Sequence, residues 1–311
     1  MGELAQRTAG DRSPEAIDRY LQERPALSRL QRVRDWFQDP ESGEWRLGFS
    51  NTLFAPGLVR WAPGPPGGDL IVFLHGSLGD AACALGDRPD NENMNEIARA
   101  HGAGLVSWDW PFHGARLNEG LYRGLQSVVS NEREYSRMLP ALGTSLWREW
   151  VAELAFVLQQ VRRRAGPDVP IHVVGYSMGA AFAYVAPLLG TRVASVSAAC
   201  SCARLADLLA EGKTRRHGFF LYPNDALGSF DLDDQVDALI ARGVPLLVVH
   251  GDQDPGCLAS SRTALAQRSQ RAPEQVEIQV LPGHPHRFSS EVKARISAFL
   301  HRVRSGQPTQ A

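Results

Sequence analysis

The chain has 311 residues, 43% of them hydrophobic and 22% charged, with a formal net charge of -1. That balance suits a folded domain with a full-sized core, and it excludes a disordered chain and an electrostatic nucleic-acid binder, whose basic footprint would be visible in composition. No stretch reaches the roughly 18 uninterrupted apolar residues that a membrane span requires, so no membrane partner is expected.

Residues 1–20 mix acids and bases without an apolar centre and do not read as a leader, which makes a cytoplasmic location the expectation. Over 15–37, Ile17, Leu21, Leu27, Leu30, Val33 and Phe37 fall at helical spacing, broken at Pro25. This predicts an N-terminal helical extension over residues 1–44. Residues 45–61 read as one or two leading antiparallel strands. From residue 70, short apolar runs at 70–74, 104–108, 171–174, 193–196, 245–249 and 276–280 alternate with helical patterns at 93–100, 146–164, 180–189, 260–267 and 291–304. The alternation predicts an α/β domain over 45–304: a mainly parallel sheet, helices on both faces, and a site at the C-terminal ends of the strands.

Two connections, 115–145 and 203–244, exceed ordinary loops and are candidate lid segments. Leu117, Leu121, Tyr122 and Leu125 in the first, with Phe219, Phe220 and Tyr222 in the second, would make the entrance partly apolar. Residues 305–311 are polar and read as a disordered tail. Cys83, Cys200, Cys202 and Cys257 are too sparse for a disulfide framework. Cys200 and Cys202 lack the second pair or nearby histidine of a metal site, so they read as small core residues, and neither a metal nor an organic cofactor is expected.

Gly175-Tyr-Ser-Met-Gly179 fits G-x-S-x-G, directly after an apolar strand and before a helix start. A nucleophilic serine needs that placement, because the strand-to-helix turn presents its hydroxyl above the sheet. It also needs a base, and the base needs an orienting carboxylate. Downstream, in the order Ser, Asp, His, come His250-Gly-Asp-Gln-Asp254 and Leu281-Pro-Gly-His-Pro-His286, each just past a predicted strand. Asp252 or Asp254 could serve as the acid, and His284 or His286 as the base. Met178, after the nucleophile, would offer a backbone N–H to an oxyanion.

With His75-Gly76-Ser77 after the first apolar strand, these motifs resemble the α/β-hydrolase superfamily over about residues 45–304. The nearest branch is the dienelactone-hydrolase-like and acyl-peptidase-like esterases, because Asp109-Trp-Pro-Phe-His-Gly-Ala-Arg116 is similar to their D-x-P-G-H-G-x-R segment. Phe112 stands where that pattern has glycine, which puts the turn's conformation in question. The resemblance implies structural roles for Asp109 and His113 and a second oxyanion N–H from Ser77, with His75 bracing that loop. Its spacing favours Asp254 over Asp252, leaving Asp252 to bond its own turn. Ungapped alignment on L-P-G-x-G-H favours His286 over His284. The implied activity is hydrolysis of a small-molecule carboxylic ester or thioester through an acyl-enzyme. Acyl transfer, cyclisation or C–C bond hydrolysis by the same triad is the alternative, and a non-catalytic binding protein on the same scaffold is a second.

Overall fold

The computed structural model describes residues 29–77, 79–86, 92–117, 132, 134–135, 137–142, 144–200 and 232–307. Three strands lead: β1 (Leu30–Gln38), β2 (Trp45–Asn51) and β3 (Phe54–Ala62), each antiparallel to the next. β4 (Leu70–Leu74) follows, then the short helices α1 (Ala81–Leu85) and α2 (Asn95–Ala100), and then β5 (Gly104–Trp108). The long helix α3 (Leu146–Ala165) leads into β6 (Ile171–Tyr176) and α4 (Met178–Val185). After β7 (Ser195–Ala199) come α5 (Leu232–Ala241), β8 (Leu246–Gly251), α6 (Ala259–Arg271), β9 (Val276–Leu281) and α7 (Ser290–Arg304).

Among the described residues, these strands form one nine-stranded sheet in the order β1-β2-β3-β5-β4-β6-β7-β8-β9. It is antiparallel from β1 to the β3–β5 pair and parallel from β5 to β9. β4, β5, β7 and β8 are buried along their whole length, as strands must be when helices cover both faces of the sheet. Trp150 of α3, Phe182 of α4 and Leu239 of α5 pack on one face. Ile97 of α2 and Ile296 and Phe299 of α7 pack on the other. No helix among the described residues is long and apolar enough to cross a membrane.

Three expectations need correction. The helical reading of 15–37 fails over its second half, because residues 30–38 are strand β1. The open edge of β2 demands backbone partners, and β1 supplies them in a ladder running from Leu30↔Asn51 to Gln38↔Trp45. The helical spacing buried too little to compete, since Val33 stays 65% exposed. The first half, residues 15–28, lies outside the described residues. The strand expected at 193–196 begins two residues later, at Ser195, whose hydroxyl pairs with His172 Nδ1 at 2.8 Å inside the sheet. Of the tail expected over 305–311, residues 305–307 are ordered. Gln307 N–H donates to Arg302 O and Gly306 N–H to Val303 O, a Schellman motif closing α7. Residues 308–311 lie outside the described residues.

Of the two candidate lid segments, 118–131 and 201–231 lie outside the described residues, and with them Leu121, Tyr122, Leu125, Cys202, Phe219, Phe220 and Tyr222. The described parts include a 3-10 turn at Gly114–Arg116, another at Leu139–Leu142, and α5 at the end of the second segment. Leu117 packs against the main core.

Candidate active site

Ser177 sits on the turn between β6 and α4 with φ 53 and ψ -114, a backbone region strained for any residue carrying a Cβ. The turn is held by Ser177 N–H donating to Ala199 O at 2.8 Å and by Ala180 N–H donating to Ser177 O at 3.1 Å. The flanking glycines are steric necessities. A Cβ on Gly179 would lie 2.0 Å from Leu74 O, and one on Gly175 would lie 2.4 Å from Gly179 O.

His286, on the loop after β9, points Nε2 at Ser177 Oγ at 2.8 Å. Its Nδ1 faces both carboxylate oxygens of Asp254, at 2.8 and 2.9 Å. Asp254, on the turn after β8, is buried and also accepts Gly256 N–H at 2.8 Å. The imidazole is one-third exposed, whereas the Asp254 carboxylate is shut off from solvent. Parallel pairing of β6, β7, β8 and β9 brings these three loops to one rim of the sheet. Met178 follows Ser177 as the first residue of α4, whose leading N–H groups have no partner within the helix.

No family model and no curated protein sequence matches the chain. Solved structures do. A putative acetyl xylan esterase from Bacteroides fragilis superposes with a TM-score of 0.62 at 18% identity, over 88% of this chain and 78% of that one. A protein from Thermus thermophilus gives 0.57 at 22% identity, over 88% and 98% of the two chains. Acetyl xylan esterase 1 from Thermoanaerobacterium gives 0.55 at 18% identity, over 97% and 98%. The chain has the α/β-hydrolase fold.

Within that fold, the structure separates the candidates that the sequence had left paired. His284 turns away from Ser177. Its Nδ1 donates to Pro285 O at 2.7 Å, and its Nε2 accepts from Ser289 Oγ at 2.7 Å, beside the N-cap of α7. Asp252 is a turn residue, but it does not bond its own turn as expected. Its Oδ1 accepts Gly283 N–H at 2.7 Å and ties the loop after β8 to the loop after β9. Asp109 accepts Ala81 N–H at 2.8 Å and Ala115 N–H at 3.0 Å, pinning α1 to the turn after β5. His113 is buried, with Nδ1 donating to Pro111 O at 2.9 Å. Arg116 grips Glu153 of α3 with two bonds, at 2.8 and 3.0 Å. Phe112 keeps a left-handed backbone, φ 70, of the kind a glycine would adopt. Its ring, packed 4.6 Å from Tyr135 and 5.4 Å from Phe54, holds it there.

The α/β-hydrolase loop that carries Ser77 is braced from two sides. His75 is fully buried, donates Nδ1–H to Gly76 O at 2.8 Å and accepts Trp110 N–H at 3.4 Å. Burial pushes its pKa below the ordinary histidine value, which fits this neutral tautomer. On the other side, Glu92 accepts Gly76 N–H at 3.0 Å. Sequence reasoning missed Glu92, and no motif around it would have marked it. Cys200, expected to be a small core residue, is buried; it follows β7 with φ 51 and lies beside Asp254.

Proposed function

We propose that this protein is a serine hydrolase cleaving a carboxylic ester or thioester through an acyl-enzyme. The observation that carries the reading is the His286 imidazole held between buried Asp254 and Ser177 Oγ at hydrogen-bond distance on both sides. The structural neighbours, acetyl xylan esterases among them, support the ester class.

In this mechanism Asp254 holds the proton on Nδ1, so the Nε2 lone pair faces the serine O–H. Ser177 Oγ attacks the substrate carbonyl carbon while its proton passes to Nε2, and Asp254 stabilises the imidazolium that results. The carbonyl oxygen becomes an oxyanion met by the N–H groups of Met178 and Ser77. Collapse breaks the bond to the alcohol or thiol, which leaves with the proton from His286. Water then attacks the acyl-serine, again deprotonated by His286, and the acid departs as Ser177 regains its proton. Those steps need no metal or organic cofactor.

A fluorophosphonate probe tests this directly. It is expected to label the wild type on the peptide containing Ser177 and to leave Ser177→Ala unlabelled. The same variant should lose activated-ester turnover by an amount approaching 10⁶-fold, as when a triad acts as a unit. Labelling elsewhere, or retention of a tenth of the rate by folded Ser177→Ala, would remove Ser177 from this role.

A further inference from the structure

Cys200 lies at the end of β7, between the loops of β6 and β8, with its backbone locked by Cys200 N–H donating to Val249 O at 2.8 Å. It is 1% exposed, and its Sγ, an Asp254 carboxylate oxygen and a His286 nitrogen all lie within 4.8 Å of one another. The sequence offers no sign of this, because the histidine that the cysteine lacked nearby in the chain arrives from the loop after β9.

We infer that Cys200, Asp254 and His286 form a binding site for a thiophilic divalent cation, zinc foremost, and that filling it switches off Ser177. Thiolate, imidazole and carboxylate are a three-ligand zinc set, with a fourth position left for water. The sulfur selects against magnesium and calcium, which take oxygen ligands. Zinc–sulfur bonds of about 2.3 Å and zinc–nitrogen or –oxygen bonds of about 2.0–2.2 Å put tetrahedral ligand atoms roughly 3.3–3.7 Å apart. The sulfur therefore has to close in by up to about 1.5 Å, while the His286–Asp254 contact widens by about half an ångström. Cys200 and Asp254 are buried, and the partly exposed His286, on the loop after β9, is the side that moves.

In the metal-free protein, burial and the Asp254 charge push the Cys200 thiol up to about 12, so it is protonated and not a nucleophile. On binding, the thiol proton leaves for solvent, sulfur bonds the metal, and the His286 Nδ1 proton is exchanged for one on Nε2. One proton is released per cation. With Nδ1 on the metal and Nε2 protonated, His286 has no lone pair to receive the serine proton.

Only the inhibition rests on the proposed hydrolase reading; the binding does not, and the two are read separately. Metal-free wild type, Ser177→Ala, Cys200→Ser and Cys200→Ala are titrated with zinc by calorimetry and with cobalt(II) by absorption. Wild type and Ser177→Ala are expected to bind one ion per chain at this site and to show thiolate-to-cobalt charge-transfer absorption. Both cysteine variants should lose that absorption and bind zinc about 100-fold or more weakly, beyond what losing an outer-shell partner costs. Ester turnover, each protein taken relative to its own metal-free rate, should be zinc-inhibited in wild type and resistant in Cys200→Ser. Equal zinc affinity in wild type and Cys200→Ser, or no charge-transfer absorption in wild type, overturns the site. Binding as expected in a protein with no esterase activity would overturn the hydrolase reading and leave the metal site standing.

Discussion

The carboxylate of Glu92 accepts the backbone N–H of Gly76 at 3.0 Å, and Gly79 N–H donates back to Gly76 O at 3.0 Å beside it. The fit is close: a Cβ on Gly79 would lie 2.5 Å from Glu92 Oε2. Glu92 is buried, and its contact lies immediately before Ser77, the proposed second oxyanion donor.

Glu92 is thus placed to position the oxyanion loop without touching substrate. Glu92→Ala is expected to lower kcat by about 10²–10³, the cost of losing one oxyanion donor, with KM little changed. Glu92→Gln keeps an oxygen acceptor and should recover most of the rate. Steady-state kinetics of the two variants decide it, and a loss confined to KM, or no rescue by glutamine, would refute the positioning role.

Asp254→Asn should cost on the order of 10⁴ in kcat through the wrong imidazole tautomer. Asp252→Asn keeps an oxygen acceptor for Gly283 N–H, loses only its charge, and should keep activity within about tenfold, one outer hydrogen bond being worth roughly 0.5–1.5 kcal/mol. His286→Ala should match the serine variant, whereas His284→Ala should act mainly on stability by freeing Ser289. Parallel measurements of ester turnover and thermal midpoint test all four substitutions. A larger kinetic loss at Asp252 or His284 would reverse the assignment.

Strain at the nucleophile carries a separate, non-kinetic consequence. At φ 53 and ψ -114, alanine keeps the Cβ conflict and glycine removes it. Ser177→Gly is therefore expected to be more stable than Ser177→Ala by about 1–2 kcal/mol, despite the greater freedom of its unfolded chain. Denaturant unfolding of the two inactive variants makes the comparison. Equal stabilities would mean that the turn is relaxed in solution.

Acid should unfold this protein earlier than its carboxylates alone require. Burial lowers the pKa values of His75 and His250 below the ordinary 6.5, with Asp109 and Asp80 only partly opposing the shift at His75. The unfolded chain then binds more protons, so their contribution is complete above about 6.5 and is lost as pH falls through that value toward the folded pKa. Each histidine contributes a slope of at most ~1.4 kcal/mol per pH unit in that window. Urea unfolding at several pH values from 8 to 5 should show stability falling below neutrality, and a flat profile would contradict neutral burial of these rings.

Much of the sheet was legible because parallel strands such as β4, β6 and β8 are short apolar runs bounded by turn residues, and the turn at Ser177 was legible because its glycines are forced by local sterics. Spacing also favoured Asp254 and His286, but that these two, rather than Asp252 and His284, line up with Ser177 Oγ is loop geometry that no local pattern encodes. Strand β1 was misread because pairing with an exposed sheet edge is a non-local demand, invisible in the spacing of Leu30, Val33 and Phe37. Glu92 and Cys200 were out of reach for the same reason. A carboxylate that braces a loop 16 residues upstream, and a thiol that meets a histidine from the far end of the chain, acquire meaning only when the sheet order brings their strands together.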